Sequence, residues 1–468
     1  MRRWLFLCGT LLFLGCADNR LAHLESIARP AASQNFLAAA NQVRDNPAFF
    51  DHSDLLYNMD LGLLYHYAGL YDSSIVFLEK AVKIQEDLYT HSVTNEAAAL
   101  LTNDNIRPYR GRPYEITSLH LFLALDYLAL HRNDDARVEV RQGEIFLDEV
   151  HRKNGTDPKA FQDDGAFRML AALIYEELGE KDNASISLFQ AVKAYQEAKQ
   201  PVPQELARYA YVVLNDNGRS SDIQELGLTP VKPDAQDPVF GATEIVVVGE
   251  LGRSPVLGET EFWGTWVRDG VIAYHYNDAN GNNITGVLPA PGLPPGAYQG
   301  GNTLSGTTVH VKWTMPALKE VRSQSDVLRV ALGPNVYSGE ALTNTRQLLQ
   351  QDLDANSTST LVRTVTRVAL RTLTAQEAKS KLVGNDPILN LLADLGVDAL
   401  SDQLEHADTR LWFLLPRTLQ IARIPVKPGH YTLELGADNF NGREVLSETR
   451  DVDVRAGEKK FVFFTSLK

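Results

Sequence analysis

Two groups of side chains in this 468-residue chain have types and a spacing that could do chemistry. The first is a segment of arginines and tyrosines whose prolines, Pro108 and Pro113, prevent a continuous helix. Loops of this kind often carry function. The alternative is structural: the tyrosines hold the loop down and the arginines pair with nearby carboxylates. The candidate interaction residues are Arg107, Tyr109, Arg110, Arg112 and Tyr114.

The second group lies near the C-terminus, where Asp408 and Arg410 stand beside Trp412. A structural salt bridge at the entry to a strand is the expected role of this charged pair. Elsewhere the eleven histidines are scattered. No His-Glu-x-x-His zinc motif, Gly-x-Ser-x-Gly nucleophile elbow or phosphate-binding Walker loop occurs. We therefore predict a protein that is not an enzyme, with no catalytic residue, metal or cofactor.

The N-terminal residues predict an export signal. Arg2 and Arg3 precede an apolar stretch that is too short to cross a bilayer and has the length of a signal-peptide core. Gly15 and Cys16 end that stretch, and this ending resembles the lipobox of bacterial lipoproteins. The resemblance implies that residues 1–16 are a lipoprotein signal segment and that Cys16 is acylated. An ordinary secretory signal with an incidental cysteine is the alternative.

The resemblance to lipoproteins also implies a location. Ala17 follows the cysteine, and by Gram-negative sorting rules this favours the outer membrane, facing the periplasm. The anchor at Cys16 would then be the contact with the membrane. The only other cysteine is Cys8, which excludes a disulfide scaffold for the rest of the chain. The net charge of −14 argues against a nucleic-acid partner.

Residues 17–230 predict a domain of helical repeats. One pattern starts at a tyrosine and continues with a turn residue and small residues, at the same offsets in three copies. It resembles the tetratricopeptide (TPR) repeat, in which two antiparallel helices pack closely through small residues. A generic helical bundle is the alternative, since the copies are not spaced at about 34 residues. The TPR-like motif residues are Tyr65, Gly69, Ala81, Tyr127, Ala136, Tyr175, Gly179, Ala184 and Ala191.

Residues 231–468 predict a β-rich, sandwich-like domain with a helical insert at about 341–404. The run Glu244–Gly249 is typical of a buried strand. The strands expected after it are Gly270–Tyr276, Thr307–Trp313, Val327–Leu332, Leu411–Leu415, Leu419–Pro425, Tyr431–Gly436, Arg450–Val454 and Phe461–Thr465. Gly286–Gly306 is expected to be loop. On the insert, Arg363, Arg367 and Arg371 share one helix face, which is either solvated, paired with carboxylates or turned to phosphate or lipid head groups.

The layout is that of an α+β multidomain protein, with a TPR-like all-α domain followed by a β-rich domain. It resembles a family of bacterial lipoproteins with TPR-like N-terminal halves. The residues that carry the resemblance are the segment Leu101–Glu115 with His120, the Tyr175 repeat and the segment Ala407–Pro416. The resemblance implies an architecture and an envelope location, and it implies no mechanism.

Two functions follow as hypotheses. The first is a non-enzymatic scaffold whose TPR-like domain binds an unknown periplasmic protein, in cell-envelope or cell-wall assembly; a structural subunit of a surface appendage or secretion complex is a further possibility. The second is a C-terminal domain that binds a glycan or small molecule, or acts on one, and is displayed on the helices. The tryptophans Trp263, Trp266 and Trp412 are its candidate contacts.

Overall fold

The structure is a computed structural model, and it describes residues 16–90, 107–155, 160–231, 243–267, 271–278, 281–289, 309–382 and 406–468. The predicted fold class is confirmed: helices fill the first half and strands dominate the second. The signal segment before Cys16, the part of the predicted loop before Arg107 and the end of the helical insert lie outside the described residues.

The first half is a series of helices joined mostly by short turns. They are α1 (Cys16–Ala32), α2 (Phe36–Asp45), α3 (Asp54–Tyr67), α4 (Tyr71–Thr90), α5 (Pro113–Ala129), α6 (Asn133–Asn154), α7 (Gly165–Glu177), α8 (Lys181–Glu197), α9 (Gln204–Asp216) and α10 (Ser220–Leu226). The turns that join α3 to α4, α5 to α6 and α7 to α8 have three residues each, so these pairs form antiparallel hairpins.

The TPR-like motif residues lie at the turns and contacts of these hairpins. The turn residues Gly69, His131 and Gly179 all have a positive φ, between 57° and 73°. This left-handed conformation ends the first helix of each pair and suits glycine best. The small residues of the second helices are fully buried against their neighbours, and they are Ala81, Ala136, Ala184 and Ala191. The motif therefore marks where helices approach one another closely.

The second half contains a sandwich of two sheets. The central sheet has the order β12-β1-β9-β8, in which β1 is parallel to β12 and antiparallel to β9. The outer sheet has the order β11-β10-β6-β7 and packs its apolar side chains against one face of the central sheet. The strands are β1 (Glu244–Arg253), β6 (Val327–Leu332), β7 (Asn335–Ser338), β8 (Glu340–Ala341), β9 (Pro416–Pro425), β10 (Gly429–Asp438), β11 (Glu444–Val454) and β12 (Lys459–Ser466).

A third sheet stands beside the sandwich and has the order β4-β3-β2-β5. Its inner face carries Ile272 and Trp313, which pack against Val365 and Val368 of the long helix α11 (Thr345–Leu382). This helix belongs to the predicted insert. The strands are β2 (Val256–Val267), β3 (Val271–Asn277), β4 (Asn283–Pro289) and β5 (Val309–Lys319).

The central sheet is buried on both faces, because the helical array covers the face that the outer sheet leaves free. Val246 and Val248 of β1 belong to the same apolar core as the helices, whereas Ile245 and Val247 face the outer sheet. This explains why β1 is an uninterrupted run of β-branched residues. The molecule is thus layered as helices, sheet and sheet.

Two sequence predictions in this half are wrong. Leu411–Leu415 forms no strand; it is a buried irregular segment whose backbone bonds to helical side chains. The Trp412 N–H donates to Glu115 at 2.8 Å, and the Tyr67 hydroxyl donates to the Leu414 carbonyl at 2.9 Å. The loop predicted from Gly286 is a strand up to Pro289, because β4 pairs with β3 over that length. The remainder of that loop lies outside the described residues.

Candidate functional site

The first helices of the hairpins turn one face toward the central sheet, and polar side chains join the two. His66 of α3 hydrogen-bonds Asp126 of α5 at 2.5 Å and Glu250 of β1 at 2.7 Å. All three side chains are buried. Burial by itself lowers the pKa of His66, but the charges of Glu250 and Asp126 raise it overall to about 10. His66 is therefore a buried cation between two carboxylates.

A second buried cluster joins the last hairpins to the same sheet. Arg423 of β9 contacts Glu244 of β1 through two hydrogen bonds, of 2.8 and 3.0 Å. Lys459 of β12 contacts Glu244 at 2.5 Å and Glu176 of α7 at 3.1 Å. The Arg423 guanidinium also lies 3.8 Å from the centre of the Tyr209 ring. Both clusters are sealed from solvent, so this face of the helical array offers no surface to a partner there.

An open cleft of about 1080 Å³ lies on another side of the array. Its walls are the loop before α5, the ends of α4 and α6, strand β5, helix α11 and the segment before Trp412. The predicted interaction residues Arg107, Tyr109, Arg110 and Arg112 line it. Arg363 and Arg367 of the predicted stripe line it from α11. Arg367 is buried rather than solvated, and the side chain of Arg371 lies outside the described residues.

The loop that lines this cleft is held in place by hydrogen bonds to Glu115. This carboxylate accepts hydrogen bonds from the Tyr109 hydroxyl at 2.6 Å, the Arg112 N–H at 2.9 Å and the Trp412 N–H. Burial raises the pKa of Glu115, while Arg112 and these hydrogen bonds act in the opposite direction. Tyr109 and Tyr114 are both buried, and burial raises their pKa values. The tyrosines are thus structural, and they fix the loop whose arginines reach the cleft.

The Asp408–Arg410 pair is part of the same support. The Arg410 guanidinium binds the Asp408 carboxylate with two hydrogen bonds, of 2.7 and 2.8 Å. It also donates to the carbonyls of His52 and Arg107, at 3.0 and 2.8 Å. The pair therefore clamps the loop to the turn before α3 and to the segment before Trp412, and it precedes an irregular segment rather than the predicted strand.

The charge of the cleft is opposite to that of the chain. Among the described residues, eight arginine and lysine side chains and five carboxylates line it, in a chain of net charge −14. The carboxylates are engaged: Asp352 binds Arg112, Glu320 binds Arg346 and Asp408 binds Arg410. Glu149 accepts from Tyr89, and Asp354 accepts from Gln350. Three cations, Arg110, Lys153 and Arg363, have no ion-pair partner in the described part of the chain.

This site could not be predicted from the sequence, because its cations come from separate elements. Lys153 ends α6 and Arg363 lies in α11, more than two hundred residues away. Only the loop arginines and the helical spacing of the α11 arginines were visible as signals. Within the described residues no group of three or more histidine, cysteine, aspartate or glutamate side chains could hold a metal ion. No helix there is long and apolar enough to cross a membrane.

No protein-family profile and no curated protein sequence matches the chain. A solved structure from Podosopora anserina, described as kinesin light chain TPR-like repeats, is 17% identical and covers 46% of this chain and 93% of its own, with a TM-score of 0.31. BtubC (BKLC) from P. vanneervenii is 13% identical and covers 44% of this chain and 70% of its own, with a TM-score of 0.27. MamA MSR-1 is 15% identical and covers 44% and 96%, with a TM-score of 0.25.

Proposed function

We propose that this chain is a non-enzymatic, lipid-anchored scaffold of the bacterial cell envelope that holds a protein partner in the cationic cleft. The observation that carries the proposal is the cleft itself, an open recess lined, within the described part of the chain, by eight cationic and five anionic side chains. The face of the helical array that packs on the central sheet is occupied by the chain's own residues. The partner would therefore dock beside the array, where the loop, α6, α11 and β5 meet.

The size and lining of the cleft support a macromolecular partner. Small-molecule sites are usually apolar pockets of roughly 300–1,000 Å³ with a few polar groups. This cleft lies just above that range in volume and is lined by many charged side chains from several elements. Charged surfaces of this kind steer an oppositely charged partner and fix its register. A scaffold needs these properties, and it needs no catalytic group.

Photocrosslinking in cells tests whether a protein partner docks in the cleft. A photoreactive residue at Ser357 stands on the exposed part of α11 that lines the cleft. The matched control is the same residue at Val138 of α6, which is 50% exposed and does not line the cleft. We expect one crosslinked protein from Ser357 that is absent from Val138. Identical products at both positions, or none at Ser357, would contradict docking in the cleft.

Palmitate labelling and membrane fractionation test the proposed lipid anchor at Cys16. The supporting observation is the lipobox-like ending Gly15-Cys16 after a signal-like segment. With a palmitate analogue supplied to the cells, we expect label on the wild-type protein and none on Cys16→Ser. The wild type should sediment with outer-membrane vesicles and the variant should not. Equal membrane association of the two proteins would reject lipidation at Cys16.

A glycan-binding face is the second candidate function, and one observation favours it. On the outward face of the third sheet Trp263 is partly exposed and stacks on His275, with ring centres 5.5 Å apart. Trp412 is fully buried and cannot take part, and the Trp266 side chain lies outside the described residues. Co-sedimentation with peptidoglycan, compared between the wild type and Trp263→Ala, tests this candidate. Equal binding by both proteins would remove it.

A further inference from the structure

We infer that the occupant of the cleft is an extended protein segment in which carboxylates alternate with apolar side chains. This inference rests on the proposed function, because it names the chemistry of the partner that the cleft would hold. The first step is charge. Arg110, Lys153 and Arg363 lie on three different walls and have no ion-pair partner among the described residues, so a bound acidic segment would meet cations from several directions.

The second step is the geometry of the guanidinium groups. The Arg363 Nε is buried and has no hydrogen-bond partner in the described part of the structure, and the same holds for the Arg112 Nε. A buried donor without a partner is unfavourable, and a guanidinium matches a carboxylate through two parallel hydrogen bonds. A carboxylate in the cleft would satisfy these groups. Arg112 is already held by Asp352, which fixes its position from the α11 side.

The third step is the apolar surface between the cations. Phe146 of α6, Leu318 of β5 and Leu353 of α11 line the cleft and are only partly buried. Apolar side chains of the occupant would cover them. Strand β5 is at the edge of the third sheet, but Pro316 has no N–H to offer there. The occupant would therefore be held by side chains rather than by extending the sheet.

These features favour a polypeptide over the other carriers of negative charge. A lipid surface is flat and cannot follow a recess whose walls are three helices, a strand and two loop segments. An acidic glycan brings carboxylates but no apolar side chains for Phe146, Leu318 and Leu353. A segment of protein supplies both groups at the short spacing that alternating cations and apolar patches require.

A binding measurement tests the inference with the full-length protein purified in detergent. The probe is a fluorescein-labelled peptide of four Glu-Glu-Leu repeats, followed by fluorescence anisotropy. Two matched peptides replace every Glu by Gln or every Leu by Ser. An oligogalacturonate of similar charge stands for an acidic glycan. We expect the first peptide to bind roughly 10-fold or more tightly than each of the other three probes, and its affinity to fall with salt.

Two triple variants with the same change in net charge locate the site. One is Arg110→Gln with Lys153→Gln and Arg363→Gln, in the cleft. The control is Arg44→Gln with Lys427→Gln and Arg455→Gln, at exposed cations that do not line the cleft. We expect the cleft variant to bind the Glu-Glu-Leu peptide roughly 10-fold more weakly and the control to bind within about 2-fold of the wild type. Unchanged circular dichroism of both variants excludes misfolding.

The outcomes separate this inference from the proposed function. Three results would each overturn the inference that the occupant is an acidic segment: absence of peptide binding, an equal loss of peptide affinity in both triple variants, or tighter binding of the oligogalacturonate than of the peptide. If crosslinking at Ser357 still captured a protein in that case, docking in the cleft would stand and only its chemistry would be wrong. Peptide binding that is lost in the cleft variant, without any crosslink in cells, would keep the chemistry and reject the scaffold.

Discussion

His66 lies between two carboxylates that belong to different halves of the chain. Asp126 comes from the helical array and Glu250 from the central sheet, and Thr465 of β12 also donates to Glu250, at 2.5 Å. Opposite charges buried together stabilise a fold only as a complete set, because removing one partner leaves an uncompensated buried charge. We therefore assign the protonated His66 imidazole a structural role.

Replacement of His66 tests this role through its pH dependence. The folded-state pKa is raised to about 10 from an ordinary value of 6.5, so the stabilisation is complete below about pH 6.5 and is lost as the pH rises through 10. We expect His66→Gln to lower the free energy of unfolding by about 3 kcal/mol near pH 6 and by less at pH 10. Urea denaturation of both proteins at several pH values measures this difference in the free energy of unfolding.

The control for this prediction is His430→Gln. His430 is an exposed histidine on the outer sheet beside Asp453, and we expect its replacement to leave the urea midpoint unchanged. A His66→Gln penalty of the same size at pH 6 and pH 10 would contradict a buried imidazolium. If His66→Gln does not fold, the imidazole resonance of the wild type, followed by NMR through pH 8, decides whether His66 is protonated.

Glu244 is the anion that holds Arg423 and Lys459 together in the second buried cluster. Burial raises its pKa, but Arg423 and Lys459 lower it below the ordinary value overall. We expect Glu244→Gln to cost about 3–5 kcal/mol in the free energy of unfolding, because both cations lose their nearest charge. Glu320→Gln breaks the exposed pair with Arg346 and should cost less than about 1 kcal/mol. Equal losses in the two variants would contradict the role of burial.

At the scale of elements, the segment Leu411–Leu415 joins the β-rich half of the chain to the helical half. Trp412 is fully buried and its ring contacts Phe122 of α5 edge-on, with ring centres 6.1 Å apart. The backbone of the segment is bonded by Glu115 and Tyr67 of the helices rather than by a neighbouring strand. An apolar run that fills a gap between helices has the same composition as a buried strand, and only its hydrogen-bond partners distinguish the two.

Truncation of Trp412 measures how much this segment contributes to the stability of the fold. We expect Trp412→Ala to lower the free energy of unfolding by about 3–5 kcal/mol, since it leaves a cavity in the shared core. Trp412→Phe should cost less, because the ring contact is kept and the indole N–H, which has no hydrogen-bond partner among the described residues, is removed. Denaturation followed by circular dichroism measures the free energy of unfolding of both Trp412 variants and of Trp263→Ala. A loss at Trp263 as large as at Trp412 would contradict this assignment.

The sequence predicted elements where the pattern is local. The β-branched run of β1 and the strand Val327–Leu332 follow from composition and period, and two of the three hairpin turns follow from glycine. Strand β2 was not predicted, because Gly258 and Gly264 interrupt its pattern; a side chain at Gly264 would meet Trp313 on β5. Contacts such as His66 with Glu250 join residues far apart in the chain, so no local pattern carries them.

At the scale of the whole molecule, the two halves share one apolar core. Helical residues, the helix-facing side of β1 and the Leu411–Leu415 segment belong to a single buried cluster. The His66 and Arg423 clusters cross the same boundary. The cleft itself is built from both halves, since α6 forms one wall and α11 with β5 forms another. The cleft exists only while the halves remain together.

Unfolding of the full chain tests this coupling, because its two halves carry different probes. The tryptophans other than Trp4 all lie in the second half, at positions 263, 266, 313 and 412, whereas most of the helix lies in the first. Since the halves bury apolar surface against each other, neither can unfold without exposing part of the other's core. We expect one urea transition, with the same midpoint by tryptophan fluorescence and by circular dichroism at about 222 nm. Helical signal that outlasts the fluorescence change would show that the array is stable without the sheet, and the cleft would then be a junction between independent domains.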